Sequence, residues 1–277
     1  MTASDRPQFS GDFDQAMSLG DSESVHFGRD VLRGLVDGIQ EELHHQKTHG
    51  SRWHWGTGVL GCAMWMDDAA FMETLGACNS VCVVVTKQPQ DRRSEQKYEP
   101  LRRFAETAEG LAQEAFPELA ELAPLRGGAP LVVGPGTPSW HGGIPPVREL
   151  VFRKVNDRLV PIVHAKLALV GQMRWTDEHP SGHLVDEIYF AARRLWIGSA
   201  NFTLSSRRSL EMGMWTTEPH VLAAARRFLL TLIAASEPLE SGHVLMTPEL
   251  TPVEYDDQAI IEYLRDAGIP DESDDDE

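Results

Sequence analysis

The chain has 277 residues, of which 42% are apolar and 24% charged. That is enough to bury one large core or two small ones, and it excludes a fibrous or wholly disordered polymer. The net charge of −17 excludes tight, non-specific binding to polyanions through a uniformly basic surface, although not a local basic cleft.

In chain order, residues 1–20 are polar, acidic and rich in turn formers, and read as a flexible lead. They carry no basic stretch leading into an apolar one, so no secretory signal is expected. Residues 23–47 place Val25, Val31, Leu32, Leu35, Val36, Ile39 and Leu43 at helical spacing, which predicts a helix. Residues 56–66 suit a buried strand. A helix over 67–77 follows, with Asp67 or Asp68 at its N-cap, and then a valine-rich strand over 80–86. Strand, helix, strand in this order predicts a parallel crossover unit.

Residues 98–123 read as helix with a break near Pro117. A Gly- and Pro-rich stretch follows, holding a short strand at Leu131–Val133. Strands are predicted over 147–154, 160–171, 185–190, 194–198 and 211–217, with a hairpin or an exposed insertion over 172–183. Amphipathic helices are predicted over 219–236 and 256–267, and the acidic residues 268–277 read as a disordered tail. The expected fold is α/β, a mixed and largely parallel sheet with helices on both faces, forming a single domain over 21–267. No apolar run approaches the ~20 residues that span a bilayer. The cysteines, Cys62, Cys78 and Cys82, are odd in number and lie in or beside apolar stretches, so reduced core thiols and a cytoplasmic location are expected.

The chemistry concentrates between residues 164 and 211, in the chain's later half (147–236). His164 and Lys166 stand two apart on a predicted strand, where positions i and i+2 share a face. Gly198, Ser199, Ala200 and Asn201 follow, and Glu211 opens the next strand. This order resembles the phospholipase D-like superfamily, whose signature is His-x-Lys, then Gly-Ser-x-Asn, then a downstream acid. The flanking segments RLWIGSANFT and SLEMGMW are similar to the family's own, and the resemblance extends over about residues 56–236. It departs at Gly171, where the family usually carries an Asp five residues after the Lys. That Asp is mainly structural in the family, so its loss does not remove the nucleophile.

The resemblance implies a metal-independent phosphodiesterase. A neutral imidazole, with an unperturbed pKa of ~6.5, escapes the repulsion an anionic phosphodiester exerts on anionic nucleophiles. His164 is therefore the expected nucleophile, forming a phosphohistidine. Glu211 would accept the other ring N–H and fix the tautomer. Lys166, Ser199 and Asn201 would stabilise charge on the phosphoryl oxygens, where losing one donor typically costs ~3–4 kcal/mol of barrier. The leaving alkoxide needs a general acid. His44 and His45 precede Lys47 as H-H-Q-K, but in a helical context rather than on a strand, so the resemblance implies a homodimer that supplies one histidine from each copy across a two-fold axis. Arg207 and Arg208, just after the GSAN turn, and Arg193 and Arg194, just before its strand, are candidates to bind phosphate. Trp175 and His179, in the expected insertion, either line a substrate path or cap a loop.

Other motifs carry less. Gly56, Gly58 and Gly61 spell a dinucleotide fingerprint but lead into a strand instead of opening a helix, so no nucleotide cofactor is expected. His44, His45 and His49 read as a solvated helix face, and Cys78 with Cys82 lacks the second pair a zinc site needs. The leading functional expectation is a nuclease on DNA or RNA, with a helicase or other DNA-binding partner and a place in bacterial defence or restriction suggested by family analogy. A phospholipase or phosphatidyl transferase would use the same residues, but no basic amphipathic helix of the membrane-surface type is present. A non-catalytic scaffold is the third reading, supported by Gly171.

Overall fold

A computed structural model describes residues 13–20, 22–50, 53–86, 92–119, 131–133, 143–150, 154–155, 158–159, 163–178, 184–239 and 253–255. Its centre is a nine-stranded sheet. In chain order the strands are β1 (Gln15–Gly20), β2 (Glu23–Gly28), β3 (His54–Ala63), β4 (Ser80–Thr86), β5 (Val147–Leu150), β6 (Leu167–Glu178), β7 (Leu184–Gly198), β8 (Glu211–Thr216) and β9 (Glu237–Pro238). Across the sheet the order is β1-β2-β8-β7-β6-β3-β4-β5-β9. The helices are α1 (Val31–His49), α2 (Ala69–Gly76), α3 (Arg92–Thr107) and α4 (Pro219–Ala235).

Alternation along the strands sorts the core into two halves. Val59, Ala63, Val83 and Val85 point to one face and pack with Leu32, Leu35 and Ile39 of α1, Phe71 of α2 and Leu101 of α3. Leu60, Cys62, Cys82 and Val84 point to the other face, against Leu229, Leu230 and Ile233 of α4. This is the expected arrangement of helices on both faces. The three cysteines are buried free thiols, and burial pushes each up to about 12.

The expectation of a largely parallel sheet is corrected. The β3-α2-β4 crossover is parallel as predicted, and so is β4 with β5. The other six of the eight neighbouring pairs are antiparallel. The reason is the β6–β7 hairpin. Of the two readings of 172–183, hairpin or exposed insertion, the hairpin holds: 172–178 continue β6, and the two strands predicted at 185–190 and 194–198 are one strand, β7. This long hairpin inserts between β3 and β8, and from β3 outwards through β6, β7, β8, β2 and β1 the strands alternate in direction.

The start of the chain also differs from expectation. Residues 15–20 form edge strand β1 rather than a flexible lead. The helix predicted from residue 23 begins at Val31, because Gly28 (φ 107°) and Asp30 (φ 52°) turn the chain out of helical geometry, leaving Val25 on β2. The helix predicted over 98–123 instead spans Arg92–Thr107 with Pro100 inside it. The predicted helix over 256–267 and the acidic tail lie outside the described residues.

Gly171 sits where β6 meets a bulge in β7: Val170 pairs with Arg194 and Gly171 with Ala192. A Cβ at Gly171 would come within 2.4 Å of the Ala191 carbonyl oxygen and 2.6 Å of Phe190 Cζ. The Phe190 ring is buried against Phe116 at 5.3 Å, so there is no room for a side chain here, let alone a carboxylate. Gly171→Ala is therefore expected to lower unfolding free energy by about 1–3 kcal/mol, the usual cost of overpacking. Urea denaturation checks this, and an unchanged midpoint would show that Phe190 can move aside.

Candidate active site

The beginnings of β6 and β8 and the ends of β3 and β7 meet at one edge of the sheet, because each pair of neighbours among them runs antiparallel. Leu167 lies opposite both Cys62 and Ile197, and Gly198 lies opposite Gly213. His164 and Lys166 precede β6, Ser199 and Asn201 follow β7, and Glu211 opens β8. The five residues expected to carry the chemistry are thus brought to one edge.

His164 and Lys166 lie in an extended lead rather than within the strand itself. That lead is tied down from several sides. Thr86, the last residue of β4, accepts from the Val163 N–H and donates to the Val163 carbonyl through one hydroxyl, both at 3.1 Å. The Ala165 carbonyl accepts from the Cys62 thiol at 3.7 Å, and the Gly198 N–H donates to the Lys166 carbonyl at 3.1 Å. The His164 ring is exposed while Lys166 is buried. The Lys166 ammonium donates to the His164 carbonyl at 2.8 Å and stands 3.2 Å from ring Nδ1 and 3.5 Å from Nε2. Burial pushes the Lys166 ammonium below its ordinary value, and the nearby carboxylate of Glu211 and thiol of Cys62 work against that shift.

Glu211 and Ser199 form the second half. The Ser199 hydroxyl donates to Glu211 Oε2 at 2.5 Å and accepts from the Met212 N–H at 3.0 Å. Among the described residues no hydrogen bond joins Glu211 to His164. The carboxylate is engaged by Ser199, and it reaches the His164 side of the site through its charge on Lys166. Asn201 accepts from the Met64 N–H through Oδ1 at 3.2 Å, which fixes the amide and leaves its NH₂ without a partner among the described residues.

The arginines divide. Arg208 is exposed and makes no ion pair among the described residues, so it remains available to a ligand. Arg193 is exposed at the β7 bulge. Arg194 is corrected: it is buried, its guanidinium lies 4.0 Å from the Trp215 ring centroid, and it pairs with Glu41 at 3.2 Å. Arg207 is corrected too. Its guanidinium is occupied by Asp30 and, in a two-pronged contact, by Asp68. Burial alone would raise the Asp68 carboxyl, but hydrogen bonds from Arg207 and the Phe71 N–H hold it below the usual carboxylate range. Asp68 was foreseen only as the N-cap of α2, which it is, accepting from Phe71 N–H at 2.8 Å. Its tie to Arg207 had no signal in the sequence.

Trp175 packs against Trp53 in a tilted arrangement with ring centroids 5.1 Å apart, on the β6–β7 hairpin many residues from His164 along β6, and His179 lies outside the described residues. Among the described residues no three His, Cys, Asp or Glu side chains gather as a metal site, and no helix is long and apolar enough to cross a membrane.

No protein-family model and no curated protein matches this chain. Similar solved structures include a phospholipase D family member, Nuc, from Salmonella typhimurium, at 13% identity and TM-score 0.40 over 79% of this chain and 99% of that one. NucT from Helicobacter pylori aligns at 10% identity and TM-score 0.42, over 82% of this chain and 98% of its own. Polyphosphate kinase from Porphyromonas gingivalis aligns at 12% identity and TM-score 0.37, over 75% of this chain and 24% of its own.

A buried ammonium destabilises the fold wherever it is charged. Because the folded value of Lys166 is depressed, wild-type stability should rise as pH climbs from that lowered value towards the ordinary 10.5. Lys166→Met removes the penalty. It should unfold at higher urea than wild type at neutral pH, and the gap should narrow as the solution is made alkaline through that window. Parallel urea curves at pH 7 and pH 10 check this, and a gap that widens with pH would contradict it.

Proposed function

We propose that this chain is a phospholipase D-like phosphodiesterase that cleaves nucleic acid through a phosphohistidine on His164. The observation that carries the reading is the pairing at the sheet edge: an exposed imidazole with a buried ammonium 3.2 Å from its Nδ1, beside the Ser199–Glu211 pair. The ammonium draws the phosphoryl oxygens to the imidazole face. The free NH₂ of Asn201 and the ammonium of Lys166 then stabilise charge that grows on those oxygens as the N–P bond forms. Glu211 keeps the Ser199 hydroxyl oriented and offsets the positive charge at Lys166. The oxygen leaving phosphorus takes a proton from a general acid, and water then breaks the N–P bond to regenerate the imidazole.

His164 is consumed as the nucleophile, and His26, which β2 brings into register with Gly213 and Gly198, is engaged by Ser24 Oγ at 2.9 Å. We therefore assign the general acid to His164 of a second copy, in a symmetric dimer. Arg208 supports a nucleic-acid substrate as an exposed cation beside the GSAN turn. An overall charge of −17 gives the chain little affinity for a polyanion at long range. A basic partner such as a helicase or other DNA-binding subunit would supply that affinity, in the cytoplasm and in the setting of bacterial defence. The reaction draws on no metal, so turnover should persist in EDTA.

The test uses purified protein in EDTA on end-labelled DNA, labelled RNA and labelled phospholipid, beside His164→Ala. The expected result is cleavage of a nucleic acid by wild type, with His164→Ala slower by about 10³-fold or more. Equal turnover by the two proteins would remove the assigned nucleophile. Turnover of phospholipid alone would move the substrate to lipid.

A further inference from the structure

We infer that Arg207 is a positioning residue: its clasp with Asp30 and Asp68 fixes the Ser199–Arg208 turn so that Asn201 faces the phosphate site. The role assigned to the site rests on the functional reading above, whereas the clasp itself does not.

The turn that carries Ser199 and Asn201 has little regular structure, only a single 3-10 turn at Ser206–Arg208. It is held instead by the segment that follows β3. The Met64 N–H donates to Asn201 Oδ1, the Phe202 N–H to the Trp65 carbonyl, and the Asp67 and Asp68 N–H groups both donate to the Phe202 carbonyl. The Leu204 N–H donates to Asp67 Oδ1 at 2.9 Å. The Phe202 and Phe71 rings pack at 4.5 Å beneath these bonds. Two chain segments 137 residues apart in sequence, as Met64 and Asn201 are, are thereby sewn together residue by residue.

Arg207 closes the far end of this seam. Its Nη2 and Nε donate to the two oxygens of Asp68, whose side chain is 2% exposed, and its Nη1 donates to Asp30. The Asp30 N–H returns a bond to the Arg207 carbonyl at 3.1 Å. Asp30 holds a left-handed backbone (φ 52°) immediately before α1, a conformation that costs energy and is kept only when the surroundings impose it. One guanidinium thus binds the start of α1, the start of α2 and the catalytic turn. A planar fork with two carboxylates fixes orientation as well as distance, which a lysine cannot reproduce. The clasp also leaves the neighbouring Arg208 side chain exposed. With Arg207 committed to carboxylates, the substrate-facing cation of the Arg207–Arg208 pair is Arg208.

A small misplacement of Asn201 is enough to harm catalysis, since donors act only when aimed at the oxygens where charge develops. The test compares wild type with Arg207→Met, Arg207→Lys and Asp30→Asn in two independent ways. The first is native hydrogen exchange. In Arg207→Met, peptides covering residues 199–210 should exchange about tenfold faster or more, while peptides from β3, β4, β6 and β7 exchange as in wild type. Asp30→Asn should show a smaller change in the same peptides, and Arg207→Lys should recover only part of the loss. The second is steady-state cleavage of the preferred labelled strand. There kcat should fall about tenfold or more with KM within about twofold, the signature of a contact made in the transition state.

Unchanged exchange over 199–210 would overturn the clasp. Acceleration spread evenly over all peptides, with kcat falling only as the folded fraction falls, would reduce Arg207 to a general stabiliser and overturn the proposal equally. If wild-type protein cleaves no strand, the functional reading fails, and the exchange measurement alone still decides the clasp.

Discussion

The site depends on the register of β6 between β3 and β7. Leu167 faces Cys62 on one side and Ile197 on the other, so the His164–Lys166 lead emerges beside the Gly198–Asn201 turn. The Gly198 N–H bonded to the Lys166 carbonyl extends that ladder by one rung into the site. A one-residue slip would turn His164 and Lys166 together to the opposite face of the sheet and separate them from Ser199, Asn201 and Glu211. The register is pinned in turn by the bulge at Val170 and Gly171 and by the Phe190 ring packed over Gly171. The absence of a side chain at position 171 is thus part of what holds His164 and Lys166 beside the Gly198–Asn201 turn.

The site was more legible than the sheet that presents it. His-x-Lys and the later Ser, Asn and Glu could be read because each reports a residue type with a definite chemical use, and their order needed only one long loop and two strands to converge. Strand directions could not be read the same way. A buried strand is an apolar run whether its neighbour is parallel or antiparallel, and the continuous apolar runs of β3 and β4 carry no mark of the direction of the strands beside them. Polar residues near the tip of the hairpin conceal the continuation of β6 through Thr176 and Glu178, which leaves 172–183 readable either as a hairpin or as an exposed insertion between shorter strands.

Arg207 shows a second limit. An arginine just after a Gly-Ser-x-Asn turn reads as a ligand for phosphate. Its real partners, Asp30 and Asp68, lie 177 and 139 residues away in sequence, where only the folded chain could bring them. Arg194 was misread for a similar reason: its partner ring, Trp215, arrives from β8. Of the pair after the GSAN turn, Arg208, with no carboxylate against it among the described residues, keeps the place that position suggested. The result is an acidic chain that concentrates a few uncommitted donors at one edge: Lys166, the amide of Asn201 and Arg208. That economy suits local capture of a phosphate better than long-range attraction of a polymer.

The most direct measurement is to trap the covalent intermediate. The protein is mixed with a phosphodiester labelled at phosphorus, denatured in alkali during turnover, digested, and the labelled peptide sequenced by mass. The account predicts a phosphoryl group on the peptide containing His164, bonded to the imidazole, lost in acid and absent from His164→Ala. Label on Ser199, or turnover with no protein-bound phosphorus at any time, would contradict it.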